Sequence, residues 1–128
     1  MVQLSLARGW ELDVERGPDW LFVRPRRLET SAASAIPLAE QIWSLLEQNF
    51  SHRLVLELDD IQQLNSHLIG QLMWLQRRIH SHDGLLRICG LSKANAELLD
   101  RCGLASHLAH SRNREEAIMG HARPTQPR

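Results

Sequence analysis

Net charge is the first thing this chain lacks. Across 128 residues, 15 Lys and Arg are balanced by 15 Asp and Glu. Domains that grip nucleic acid usually carry a basic stripe, whereas Arg26, Arg27, Arg77, Arg78, Arg112 and Arg114 form no run longer than a pair. No direct nucleic-acid contact is expected. Cysteine is also scarce. Cys89 and Cys102 stand outside any Cys-x-x-Cys pair and on apolar-periodic segments, so two buried free thiols are expected rather than a disulfide or a metal knuckle. No apolar run is long enough to cross a bilayer. The opening MVQLSLARGW has no basic start leading into a continuous apolar core, so no secretory signal and no membrane attachment are expected, which fits a cytoplasmic protein. With 43% hydrophobic and 23% charged residues, the composition is that of one soluble globular domain.

What is present is a succession of short apolar strands and amphipathic helices. Trp10, Leu12 and Val14 alternate with Glu11 and Asp13, the period of a half-buried strand. Arg16-Gly17-Pro18-Asp19 breaks the pattern as a turn, and Trp20 to Val23 reads as a second strand ended by Pro25, making an opening hairpin. Thr30 to Ala35 is small and polar ahead of a helix with Pro37 in its first turn and Leu38, Ile42, Leu45, Leu46 and Asn49 at helical spacing, stopping near Phe50-Ser51. Leu54 to Leu58, almost wholly apolar, suits a central strand covered on both faces.

A second helix is expected from about His67 to Ser81, with Leu68, Leu72, Leu75 and Ile79 as its stripe. Gly70 in its first turns suggests close packing against a neighbour. His82-Asp83-Gly84 closes that helix, and Leu85 to Cys89 is the next strand. Ser92 can cap a helix carrying Ala94, Leu98, Leu99 and Cys102, with Gly103 ending it. Leu104 to His110 reads as a weak edge strand, and Asn113-Arg-Glu-Glu116 has capping-box spacing for a last short helix. The expected fold is α/β: a single domain over residues 10–119 with a mixed sheet of four to five strands and about four helices, an N-terminal extension (1–9) and a flexible C-terminal tail (120–128).

Candidate chemistry is sparse. His80, His82 and Asp83 straddle a helix end and His107 and His110 form another pair, but neither matches a His-Glu-x-x-His helix or a cysteine site, so no metal is expected. No Gly-x-Ser-x-Gly elbow supports a nucleophile and no Gly-rich loop with Lys and Ser or Thr supports nucleotide hydrolysis, so neither catalysis nor a cofactor is expected. Asp59 and Asp60 read as a solvated loop. The segment that stands out is Asp60 to Leu75, DIQQLNSHLIGQLMWL, where a strand hands over to a helix through Asn65-Ser66-His67. Asn65 or Ser66 can cap the helix, and such a start, rich in free N–H groups, suits either plain capping or a regulatory phosphate.

These segments together resemble the STAS domain family, the fold of bacterial anti-sigma factor antagonists. The resemblance runs from about Trp10 to Met119 through LVLELDDIQQLNSHLIGQL, LLRICGLSKANAELLDRCGL and REEAI. It places Asn65 at the family's Asp, Ser66 at its first Ser, His67 at its Ser or Thr phosphoacceptor, Leu68 at its first Gly, Ile69 at its Leu and Gly70 at its second Gly. It implies a non-enzymatic module that docks a kinase-type anti-sigma factor, or another protein of a STAS pathway, through Asn65, Ser66, His67, Leu68, Ile69 and Gly70. His67 has no hydroxyl to phosphorylate, which leaves Ser66 as the candidate modified residue. A ligand sensor and a homo-oligomeric signalling scaffold are the other usages the resemblance allows.

Overall fold

The computed structural model describes residues 2–7, 10–27, 38–104 and 106–119. A six-stranded sheet is ordered as the chain runs: β1 (Val2–Ala7), β2 (Trp10–Arg16), β3 (Leu21–Arg27), β4 (Arg53–Glu57), β5 (Leu85–Cys89) and β6 (His110–Ser111). The first three strands are antiparallel and the rest add on in parallel. Helices α1 (Leu38–Gln48), α2 (Ser66–Ser81) and α3 (Lys93–Arg101) fill the crossovers, and α4 (Arg114–Ile118) follows β6. The architecture is the expected mixed α/β domain, with β1 adding an edge strand inside the segment assigned to the N-terminal extension.

Alternation sorts the side chains between two faces. Trp10, Leu12 and Val14 of β2, Leu21 and Val23 of β3, Leu54 and Leu56 of β4 and Ile88 of β5 point to one side, where they meet the apolar stripes of α1, α2 and α3 in the main core. Leu68, Leu72, Leu75 and Ile79 are the buried residues of α2, the stripe that the helical spacing indicates. The other face is smaller: Trp20, Phe22, Val55 and Cys89 gather with Ala117 of α4. β4 is buried on both sides, with Leu54, Val55 and Leu56 fully enclosed, which explains its unbroken apolar run.

Several expectations give way to tertiary context. β3 continues through Pro25, which lies opposite Leu12; the β3–β4 ladder ends at Val23, so beyond it only β2 pairs with the strand and the missing N–H is tolerated. Cys102 is exposed at the C-cap of α3 rather than buried, because Asn95 and Leu99 supply that helix's buried positions. Ala94 is likewise exposed. His110 is buried in β6, not a surface partner of His107. Leu108 is buried just ahead of that two-residue strand rather than within it. The last short helix, α4, ends at Ile118 with Met119 as its C-cap, and Ala117 is its buried residue. Thr30 to Ala35, Pro37 and the tail 120–128 lie outside the described residues.

Gly84 shows what closing α2 requires. Asp83 takes a left-handed φ of 60°, and the amides of Asp83 and Gly84 bond back to the carbonyls of His80 and Ile79. A Cβ on Gly84 would lie 2.1 Å from the carbonyl oxygen of His52, so only glycine lets the helix end lie against the entry to β4.

Candidate protein-docking site

The handover from β4 to α2 is built on apolar anchors and one buried amide. After Leu58, Ile61 and Leu64 tuck into the core while Gln62 and Gln63 stay exposed. Asn95 of α3 is 2% exposed and lies beneath this loop. Its Oδ1 accepts from Leu64 N at 3.0 Å, and its Nδ2 donates to the carbonyls of Ile61 at 3.2 Å and Gln62 at 3.4 Å. Its own amide donates to Ser92 Oγ, the cap of α3. One side chain therefore satisfies three backbone groups of a loop that has no ladder to serve them.

Asn65 then starts α2. Its backbone is extended, its Oδ1 accepts from Leu68 N at 2.8 Å and its carbonyl accepts from Ile69 N at 2.9 Å. Because Asn65 is the cap, Ser66 becomes the first helical residue, one earlier than expected. Ser66 Oγ makes no hydrogen bond among the described residues, and Ser66, His67 and Gly70 are exposed. Ile69 is half-buried. Leu68 is a correction: at 4% exposure it is an anchor in the core, because the turn that displays His67 must turn its neighbour inward. Gly70 is another. Beyond its own helix backbone and chain neighbours, no atom among the described residues lies within 4 Å of the position its Cβ would take, so the close packing expected of it is absent there and its bare backbone is exposed.

Elsewhere the charged side chains are largely paired with one another, although Arg24 Nε is buried without a hydrogen-bond partner among the described residues. Arg114 grips both oxygens of Glu57 at 2.9 Å, reaches Glu15 at 2.9 Å and lies over the Phe22 ring at 4.1 Å. Its hydrogen bond to Glu57 holds its pKa above the usual guanidinium range. Arg24 pairs with Asp59 at 3.6 Å and Asp60 at 3.3 Å, while Arg26 pairs with Glu11, Asp13 and Asp60, so the two aspartates read as a solvated loop are half-exposed members of an ion-pair network. A shallow cleft of about 260 Å³ at the carboxyl ends of β4 and β5 is lined by Arg24, Glu57, Asp59, Cys89, Asn113, Arg114 and Glu115. Its arginines are spent on its own acids. Burial, reinforced by Glu57 and Asp59, pushes the Cys89 thiol up to about 12, which keeps it protonated and poorly nucleophilic.

Among the described residues no group of three or more His, Cys, Asp or Glu is placed to hold a metal ion. His82 instead packs against Trp43 at 4.8 Å and His52 at 5.2 Å, while His80 and Asp83 are exposed. Trp43 is buried and Trp74 partly so, so their rings serve packing first. No helix among the described residues is long and apolar enough to cross a membrane.

A mixed sheet with three helices on one face, a short helix on the other and an asparagine-capped handover after the central strand is an arrangement that can be compared with known proteins. The STAS domain family pattern matches residues 13–117. The chain belongs to the STAS family. Members of this family are non-catalytic regulatory domains that act by binding other proteins, and this STAS domain resembles the bacterial anti-sigma factor antagonists among them. Solved structures agree on the fold. An anti-sigma-factor antagonist domain protein from Planctomyces limnophilus superimposes with a TM-score of 0.64 at 18% identity, covering 86% of this chain and 97% of that one. A glutamate-for-serine variant of RsbS from Moorella thermoacetica gives 0.64 at 15% identity, covering 86% and 93%. The phosphorylated form of Bacillus SpoIIAA gives 0.58 at 14% identity, covering 94% and 98%. No curated protein matches the chain in sequence.

Proposed function

We propose that this STAS domain docks a serine-kinase-type anti-sigma factor, or another protein of a STAS pathway, through the start of α2. Ser66, His67, Ile69 and Gly70 form the contact surface, with Asn65 and Leu68 holding it in place. The observation that carries this reading is the pairing of an exposed helix start, Ser66, His67 and the bare backbone of Gly70, with a hydrogen-bonded support beneath it, Asn65 capping from one side and Asn95 pinning the loop from the other. Surfaces that meet a partner without reorganising lose less on binding. His67, at the position where the family resemblance places a phosphoacceptor, removes the hydroxyl through which a serine kinase would release the complex. Control of the complex then rests on concentration or on the partner.

Titration of the domain against kinase-type anti-sigma factors encoded near its gene tests this directly. Replacement of His67 or Ile69 by alanine is expected to weaken binding at least tenfold, and unchanged affinity in both variants would sink the proposal. A second reading is favoured by Ser66 Oγ, which is exposed and not engaged in capping: phosphorylation there would add charge at a helix N-terminus. Intact-mass measurement after incubation with the kinase and ATP decides it, since no mass gain removes this reading.

A further inference from the structure

Three helices end in the same hydrogen-bonded turn. In each, an amide just past the helix reaches back to the carbonyl five residues earlier: Ser51 to Leu46 at 3.0 Å, Gly84 to Ile79 at 2.9 Å and Leu104 to Leu99 at 3.0 Å. The residue before that amide takes a left-handed φ, and α3 places Gly103 there at 73° while α2 places Asp83 there at 60°. α1 places Phe50 there, at 53°. Glycine is at ease in that region and aspartate tolerates it, whereas a bulky side chain is strained. Phe50 is also 93% exposed, more than any other large hydrophobic residue among those described. It breaks both the backbone preference and the rule of burial, and local costs left unrecovered within the fold point to a function.

What lies beside Phe50 says which function. Phe50 borders a cleft of about 250 Å³ between its own turn and the turn joining β2 to β3, where Pro18 and Trp20 supply apolar wall. Every residue lining this cleft is among those described. The β2–β3 turn is closed by Gly17 N donating to Trp20 O at 2.8 Å. It presents Arg16 and Asp19 to the cleft, both exposed and neither in an ion pair among the described residues. Arg53, the other guanidinium at the cleft, lies over the Trp20 ring at 4.7 Å.

We propose that this end of the sheet is a self-association surface, on which two copies meet about a twofold axis with Phe50 of each seated in the cleft of the other. A twofold contact needs a patch that complements itself. Here an aromatic side chain and a cleft with room for it lie side by side, and one turn carries an unpaired charge of each sign. The twofold sets Arg16 of each copy against Asp19 of the other, so each charge finds its opposite. Binding energy at protein contacts concentrates in aromatic anchors that fill pockets. The surface sits at the amino end of β4, whereas α2 starts beyond the carboxyl end of that strand, so the pairing does not depend on the docking role proposed for α2.

Sedimentation velocity on the full chain from about 1 to several hundred micromolar is the test. The wild type is expected to shift from monomer to dimer with concentration, and Phe50→Gly to weaken that shift at least tenfold. The same variant should raise the urea unfolding midpoint measured at the lowest concentration, because glycine relieves the left-handed strain. Arg16→Asp and Asp19→Arg should each weaken association at least fivefold, and their equimolar mixture should recover it by opposing unlike charges across the axis. A wild type that stays monomeric throughout the range overturns the proposal, as does Phe50→Gly dimerising as tightly as the wild type or a mixture that recovers nothing. A lower unfolding midpoint for Phe50→Gly overturns it too, since the ring would then be packed within its own chain.

Discussion

Replacing Asn95 by alanine removes the one side chain that holds the loop ahead of α2. Leu64 N loses its acceptor at 3.0 Å and the carbonyls of Ile61 and Gln62 lose donors at 3.2 and 3.4 Å. A typical hydrogen bond contributes about 1 kcal/mol net, but a buried donor left unpaired costs about 1–3 kcal/mol. The Leu64 amide is the severest loss, since Leu64 is fully buried, whereas the Gln62 carbonyl belongs to an exposed residue that water reaches. Summing one full penalty and one to two ordinary bonds gives an expected destabilisation of about 2–5 kcal/mol. Urea unfolding should show this as a lower midpoint at unchanged slope. Native-state hydrogen exchange should show faster exchange of the Leu64 and Leu68 amides, and partner affinity should fall without any contact residue having been touched. Asn95→Asp is a sharper control, keeping the acceptor for Leu64 N but turning a second oxygen toward two carbonyls. Its stability should recover as the pH falls and the carboxyl gains a proton it can donate. An alanine variant within about 0.5 kcal/mol of wild type, the range ordinary for surface changes, and with an unchanged Leu64 exchange rate would refute the assignment of Asn95 as the loop's support.

Gly70 within α2 and Gly84 just beyond its end should respond in opposite directions. Gly84→Ala drives a methyl to 2.1 Å from the His52 carbonyl oxygen and 2.8 Å from the Ile79 side chain, and should cost roughly 2 kcal/mol or more in thermal or urea unfolding. Gly70→Ala meets nothing and should gain about 1 kcal/mol from helix propensity, while weakening the partner if the bare backbone there is part of the contact. Thiol labelling of the native protein near pH 8 should modify Cys102 quickly and Cys89 only on unfolding. Because burial raises the Cys89 pKa from 9.0 to about 12, the folded state holds that proton more tightly than the unfolded chain, and Cys89's contribution to stability should be present below pH 9 and be lost progressively as the pH rises toward 12. Arg114→Ala should destabilise by about 1–3 kcal/mol through loss of its charge-assisted bonds to Glu57 and Glu15, and Arg114→Lys should recover little of this, since an ammonium cannot present the fork that Glu57 accepts.

Local chemistry explains which parts of this molecule could be read in advance. The caps at Asn65, Ser92 and Asn113 each involve an amide three residues ahead, so residue type and spacing are enough to find them. The stripe of α2 and the enclosed run of β4 announce themselves by period in the same way. The misreadings depend on partners distant in the chain. Cys102 and Leu98 have the spacing of a buried stripe, but whether that stripe is covered depends on where α3 sits. Asn95, the support of the site, reads as an ordinary polar helix residue until the loop 31 residues earlier is laid against it. β1 likewise depends on a partner, since its place in the sheet is fixed by its register with β2 rather than by any local cap or stripe.

Gln71 extends the reach of the site in a direction the contact surface alone would not suggest. One residue beyond Gly70, its Oε1 accepts from the backbone amide of Ala39 at 2.9 Å, supplying from α2 an acceptor that the first turn of α1 lacks within its own helix. The two helices thus share a terminus. A partner that rotates or lifts the opening turns of α2 must either carry α1 with it or strand that amide, so a disturbance felt at His67 has a direct mechanical route to the first turn of α1. Slowed or accelerated exchange of the Ala39 amide would therefore register occupancy of a surface that Ala39 itself, buried at the head of another helix, never touches.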